Sequence, residues 1–183
     1  MSVYVTQALG KALLELMRSK NLERITVDEM TEKGQIGRAT YFRNYSSKEE
    51  VLTDYIVLQW RTYEREHNLK AYPIRNHYRI VRYFEFLKSL RPVNDLLIGQ
   101  GRTAVILNAY ERIFDEEEIE LSYERAYMAY GLYGILLLWI KNGYLESPEE
   151  MSRILSERIF AANMLDRMDA ASRADSGGDD AEE

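Results

Sequence analysis

Arg38, Thr40, Tyr41, Arg43 and Asn44 fall within seven consecutive residues, and Lys48 follows four places on. These are the donor and acceptor types that reach phosphate oxygens and base edges in duplex DNA: arginine to guanine O6 and N7, threonine and asparagine to either. Phe42, set among them, has an apolar ring suited to a thymine methyl or a sugar. Other chemistry lacks its residues. There is no cysteine, so neither disulfides nor thiolate chemistry is available. Two histidines, His67 and His77, do not make a transition-metal site, and no metal or cofactor is expected. Carboxylates cluster at residues 116–118 and 149–150, in acidic settings where nothing isolates one for a raised pKa. No glycine-rich phosphate loop, nucleophile elbow or metal-ligand spacing occurs, and no catalytic residue is expected.

Helices must position the polar run, because helix formers dominate and no segment alternates with a clean period of two. Val5, Ala8, Leu9, Ala12, Leu13, Leu16 and Met17 share one face and predict a first helix over 3–19. Thr26 and Glu29 form a capping box that opens a short helix over 27–33. Gly34 permits a turn, and a third helix runs from Gly37 to Asn44. Ser46 and Ser47, with Glu49 and Glu50 three residues later, open a long helix over 48–70 that stops before Pro73. Further helices follow over 78–90, from Pro92 to about Gly99, over 103–114, over 122–142 closed by Gly143, and over 148–165. The prediction is an all-α chain of about nine helices.

The net charge of −6 hides an uneven distribution. Residues 166–183 hold seven acids against two bases, whereas residues 1–48 hold eight bases against five acids. The tail lacks anything to bury and is expected to be disordered. The longest purely apolar run, residues 135–140, is six long, far short of the roughly 20 a membrane helix needs. No basic region followed by an apolar run opens the chain. The expectation is a cytoplasmic protein without a membrane partner.

Two short helices around Gly34-Gln35-Ile36, after a longer amphipathic one, fit a helix-turn-helix whose second helix enters the major groove. Spacing alone leaves open a solvated polar face on an ordinary three-helix corner. The run Ile36-Gly37-Arg38-Ala39-Thr40-Tyr41-Phe42-Arg43-Asn44-Tyr45-Ser46-Ser47-Lys48-Glu49-Glu50-Val51-Leu52 resembles the DNA-binding signature of the TetR family of bacterial transcriptional regulators. A second block resembles the C-terminal ligand and dimer domain of the TetR subgroup that includes dihydroxyacetone-kinase regulators. It comprises Tyr127 to Leu136, Trp139 to Gly143 and Ser147 to Glu150. The sequence departs from the family pattern at Gln35, where relatives usually have glycine, at Gly37, where serine or threonine is usual, and at Phe42, where a phosphate-contacting tyrosine is common.

The resemblance implies a helix-turn-helix domain over 1–47, an effector-binding and dimerisation domain over 48–165 and a tail over 166–183. It implies DNA contact by Thr26, Arg38, Ala39, Thr40, Tyr41, Phe42, Arg43, Asn44 and Lys48, with Tyr41 or Arg43 substituting for the hydroxyl Phe42 lacks. Tyr45 is read as a plug in the small three-helix core. For a small-molecule effector it points to Trp60, Tyr63, Phe84, Tyr110 and Tyr127, aromatics that could equally be core. For a homodimer interface it points to Tyr130, Gly131, Gly134, Leu138, Ile154 and Ile159. The implied function is a ligand-responsive repressor that binds a palindromic operator as a dimer. The alternative is a TetR-like accessory protein or co-activator acting through protein contacts.

Overall fold

The computed structural model describes residues 2–115 and 122–156, which are all-α, with no strand among them. Nine α-helices are described: α1 (Val3–Met17), α2 (Val27–Lys33), α3 (Arg38–Asn44), α4 (Lys48–Glu66), α5 (His77–Ser89), α6 (Arg91–Gly99), α7 (Thr103–Asp115), α8 (Ser122–Lys141) and α9 (Pro148–Arg153). Two 3-10 turns that the periodicity did not announce, Leu22–Arg24 and Leu69–Ala71, lie after α1 and α4.

Helix ends follow the local chemistry. At α2 the Glu29 amide donates to Thr26 Oγ1 at 3.2 Å and the Thr26 amide donates to Glu29 Oε2 at 2.8 Å, the reciprocal pairing of a capping box. Ser147 and Glu150 repeat it at α9. At α4 the work is divided: Ser47 accepts from the Glu50 amide at 3.1 Å, while Glu50 accepts from the Ser46 amide and hydroxyl at 2.8 and 2.7 Å. The long helix ends at Glu66 rather than near residue 70, because Asn68 takes a left-handed φ of 51° and the chain tightens into a 3-10 turn. Of the last helix predicted over 148–165, the part beyond residue 156 lies outside the described residues, as does the acidic tail.

The turn between α2 and α3 is built differently from expectation. Gly34 has an ordinary φ of −79°, and the left-handed position is Gln35, at φ 54°. The Ile36 amide donates to the Thr31 carbonyl at 2.9 Å and the Gln35 amide to the Glu32 carbonyl at 3.0 Å, a Schellman closure with a non-glycine at its left-handed residue. Ile36 and Thr31 are both buried beneath it.

One core runs through the chain. Leu9, Leu13 and Met17 of α1 meet Met30 of α2 and Tyr41 of α3, with Leu22, Ile25 and Tyr45 closing the gaps. Helix α4 packs on α1 through Tyr55 and Gln59 and on α7 through Thr53 and Asp54, so it belongs to both halves of the molecule. It approaches α1 closely at Gly10, where an added Cβ would lie 2.3 Å from the Tyr55 ring. Beyond it, α7 packs on α8 and α5 on α9.

Candidate nucleic-acid interface

Helix α3 is seven residues long, so its side chains divide sharply between two faces. Tyr41 and Tyr45, four apart, turn inward. Tyr41 is 3 % exposed and its ring stacks on that of Tyr45 at 6.1 Å. The Tyr45 hydroxyl pairs with Thr6 Oγ1 at 2.8 Å, which places Tyr45 in the three-helix core as expected. Arg38, Ala39, Phe42 and Arg43 turn outward, and Thr40 and Asn44 lie half-buried at the edge of that face. Phe42 is 60 % exposed, an unusual position for a large apolar ring.

Short-range contacts order this outer face. Arg38 pairs with Asp28 of α2 at 2.9 Å and lies 5.9 Å over the Phe42 ring. Arg43 donates to Thr40 Oγ1 at 3.2 Å, and the Asn44 side-chain Nδ2 donates to the Thr40 carbonyl at 2.6 Å. Thr26 stays exposed beside them, its hydroxyl engaged in the α2 cap. Glu29 also receives Lys20, and its carboxyl is held down to about 2, chiefly by that hydrogen bond and then by the Thr26 amide.

Two expectations are corrected. Tyr41 faces the core, so it does not supply the hydroxyl that Phe42 lacks, and Arg43 is the one of the two that remains on the outer face. Lys48, expected as a phosphate clamp, donates instead to the carbonyls of Leu22 at 2.5 Å, Ile25 at 2.6 Å and Glu23 at 3.5 Å. An ammonium has three donors, and here three carbonyls receive them.

The sequence reading missed how the far half grips this unit. Gln100, in the turn between α6 and α7, accepts from the Leu22 amide at 2.8 Å and donates to the carbonyls of Met17 at 2.8 Å and Lys20 at 3.3 Å. Arg102 adds Glu23 at 2.5 Å and Glu49 at 3.6 Å, and Arg112 of α7 pairs with Asp54 of α4. A polar residue after a helix end carries no periodic signal, so nothing in the pattern marked Gln100.

In the larger half, a cavity of about 40 Å³ lies among Trp60, Ile74, Ile80, Tyr83, Phe114, Met128 and Leu132, with Arg79 also at its wall. A second, of about 10 Å³, shares Trp60, Tyr83, Ile113 and Phe114 with it and adds Tyr110. Of the five effector candidates, Trp60 and Tyr110 therefore reach a cavity. Tyr63 does not: it stacks on His67 at 4.0 Å and donates to Glu85 at 3.1 Å, with its hydroxyl pushed up to about 12, by burial first and then by that carboxylate. Phe84 is core, edge-on to Trp139 at 5.5 Å. Tyr127 lies more than half exposed on α8, next in sequence to the inward-facing Met128.

The dimer candidates share one strip. Tyr130, Gly131, Gly134 and Leu138 all lie on the exposed side of α8, and Ile154 is partly exposed after α9. Nothing lies within 4 Å of a Cβ built on Gly131 or Gly134. Ile159 lies outside the described residues.

Residues 103–160 match a TetR-type family model, described as transcriptional regulator C-terminal region. No curated protein matches the chain. Among solved structures, the TetR family repressor AlkX from Dietzia sp. strain DQ12-45-1b, implicated in biodegradation of n-alkanes, aligns at 19 % identity with a TM-score of 0.44, over 83 % of this chain and 91 % of that one. The matched residues thus span α7 to α9, which carry the bare strip of α8 and one side of each cavity, the other side coming from α4 to α6.

No helix among the described residues is long and apolar enough to cross a membrane, and no group of three or more potential metal ligands occurs among them.

Proposed function

We propose that this chain is a DNA-binding transcriptional regulator of the TetR type: a cytoplasmic homodimer that represses by holding a palindromic operator and lets go when a small molecule binds. The observation that carries the reading is the outer face of α3. Two arginines, a threonine and an exposed phenylalanine are held in register there by a buried Tyr41–Tyr45 stack, on a helix backed by α1 and α2. That face offers duplex DNA charge, hydrogen bonds and one apolar contact, and Thr26, Ala39 and Asn44 border it.

The bare strip of α8, together with the exposed Ile154 after α9, supports an isologous dimer. Two copies of α3 would then sit on successive major grooves. The division at residue 47, with a reading head before it and an effector and dimer part after it, belongs to the same proposal. So does placement with the regulators related to dihydroxyacetone-kinase activators, which rests on the Tyr127–Leu136 block. Ligand response follows if the effector binds two arrangements of α4 and α7 with different affinity.

The test is a gel shift on duplex DNA from the promoter upstream of the chain's own gene. Binding is expected, steeply weakened by salt, and lost in the double variant Thr40→Ala, Arg43→Ala with its circular dichroism unchanged. Full binding by that variant would refute the assignment. A second reading, an accessory protein or co-activator, is favoured by one observation: Lys48 and Phe42, at positions where the family usually grips phosphate, offer no donor to it. That reading predicts weak DNA binding and a stable complex with another protein.

A further inference from the structure

The two cavities meet at a wall made of Trp60, Tyr83, Ile113 and Phe114. Beside this wall lie the hydroxyls of Tyr83 and Tyr110, both cut off from solvent and with no partner in reach but each other. Their ring centroids are 6.2 Å apart, edge to face. Even if the two hydroxyls turned to pair with each other, one proton would be left without an acceptor. Burial and the neighbouring phenol push the Tyr83 hydroxyl well above its usual range, and burial leads for Tyr110 as well, so both stay protonated donors. A buried donor with no acceptor is costly. The rest of the lining is apolar apart from Asn94, which donates to the Leu87 carbonyl at 3.4 Å, and Arg79, which donates to Glu64 at 3.0 Å and to the Tyr72 carbonyl at 3.2 Å. An anionic ligand would meet a guanidinium whose charge Glu64 already balances, and a buried ion without compensation is strongly disfavoured.

The geometry points to an uncharged, mainly apolar ligand of about one ring, carrying a hydrogen-bond acceptor that receives the Tyr83 and Tyr110 hydroxyls. It rests on the regulator reading only in calling this ligand the effector. The size of the cavities adds the regulation. The larger, at about 40 Å³, holds one or two waters, whereas a cavity of roughly 150 Å³ is needed for benzene. A ring therefore enters only when the shared wall parts and the two cavities join. The ligand thus binds the parted arrangement and not the closed one, which is the differential affinity a switch requires. Ile113 and Phe114 of that wall, and Tyr110 beside it, belong to α7. The same helix carries Arg112 on Asp54 and begins beside Gln100 and Arg102, whose side chains hold the 3-10 turn after α1. Parting the wall pulls on those contacts.

The experiment measures binding of three probes of one shape to the full chain by calorimetry: acetophenone, which carries a neutral acceptor, ethylbenzene, which has none, and benzoate, which is charged. Acetophenone is expected to bind about ten-fold more tightly than either of the others, the worth of one neutral hydrogen bond. The double variant Tyr83→Phe, Tyr110→Phe should erase that advantage while leaving ethylbenzene within two-fold, and it should unfold no earlier than the parent. If the double variant does not fold, Tyr83→Phe alone is read, and it should remove most of the advantage. Equal binding of acetophenone and ethylbenzene, tighter binding of benzoate, no saturable acetophenone binding at millimolar concentration, or acetophenone binding untouched by the substitutions would each overturn the proposal. Duplex binding is measured on the same preparation without probe. Its absence would end the regulator reading and leave the ligand result standing.

Discussion

The Lys48 ammonium sits 2.5 Å from the carbonyl oxygen of Leu22, a residue 26 positions earlier, and 2.6 Å from that of Ile25. It thereby ties the start of α4 to the 3-10 turn after α1, whose carbonyls face it. Removing the charge takes a donor from two part-buried carbonyls, of which that of Leu22 keeps only the Ile25 amide at 3.2 Å. Lys48→Met is expected to lower stability by about 1–3 kcal/mol, seen as an earlier urea midpoint, with DNA affinity falling alongside. A lysine that served only a phosphate would leave that midpoint in place.

Tyr41 and Phe42 are neighbours in sequence with opposite duties. Tyr41→Ala empties a core position at 3 % exposure and should cost about 3–5 kcal/mol. Phe42→Ala should stay within about 0.5 kcal/mol of the parent yet weaken operator binding several-fold. Paired urea titrations and gel shifts would separate the two, and a destabilised Phe42→Ala would mean the ring supports the fold instead.

Acid should loosen α2. The Glu29 carboxyl is held from 4.5 down to about 2, by Lys20 first and then by the Thr26 amide. A carboxyl depressed in the folded state stabilises it above the unfolded value, and that contribution drains away as pH falls from about 4.5 toward 2. The gap in urea midpoint between the parent and Glu29→Gln should therefore narrow steadily from pH 5 to pH 3. A constant gap would show that the pairing with Lys20 and Thr26 does not form in solution.

Gly10 illustrates two opposed effects of known size. Alanine in a helix interior gains about 1 kcal/mol over glycine. Here its Cβ would lie 2.3 Å from the Tyr55 ring and 2.7 Å from the Tyr55 Cβ, and overpacking of that kind costs about 1–3 kcal/mol. Gly10→Ala is expected to destabilise on balance. Thermal unfolding decides, and a rise in Tm would show that α1 and α4 can separate without loss.

The helices were legible because their signals are local. Thr26 with Glu29, Ser147 with Glu150 and the closure at Gly143 each fix an end within a few residues, and each forms as read. The outer face of α3 was legible for Arg38, Phe42 and Arg43, but a seven-residue helix gives too short a period to assign Tyr41 from spacing. Long-range partners were not legible. Nothing near Lys48 in sequence announces Leu22 and Ile25, and nothing near Gln100 announces Met17 and Lys20. The aromatics were ambiguous for a related reason. Periodicity puts a ring on the inner side of a helix without saying whether it meets packed atoms, as Phe84 does, or a void, as Trp60 does. Gln35 shows the limit of residue-type rules at turns, since the adjacent Gly34 did not take the left-handed position.

The hold of Gln100 on Leu22, Met17 and Lys20 bears on how the molecule can be divided. One carboxamide from the middle of the chain completes main-chain valences on both sides of the bend that orients α1 toward α2. A fragment cut after α4 would keep every residue proposed to face DNA and yet leave that bend to be completed by water. The first helices thus borrow part of their shape from the turn between α6 and α7.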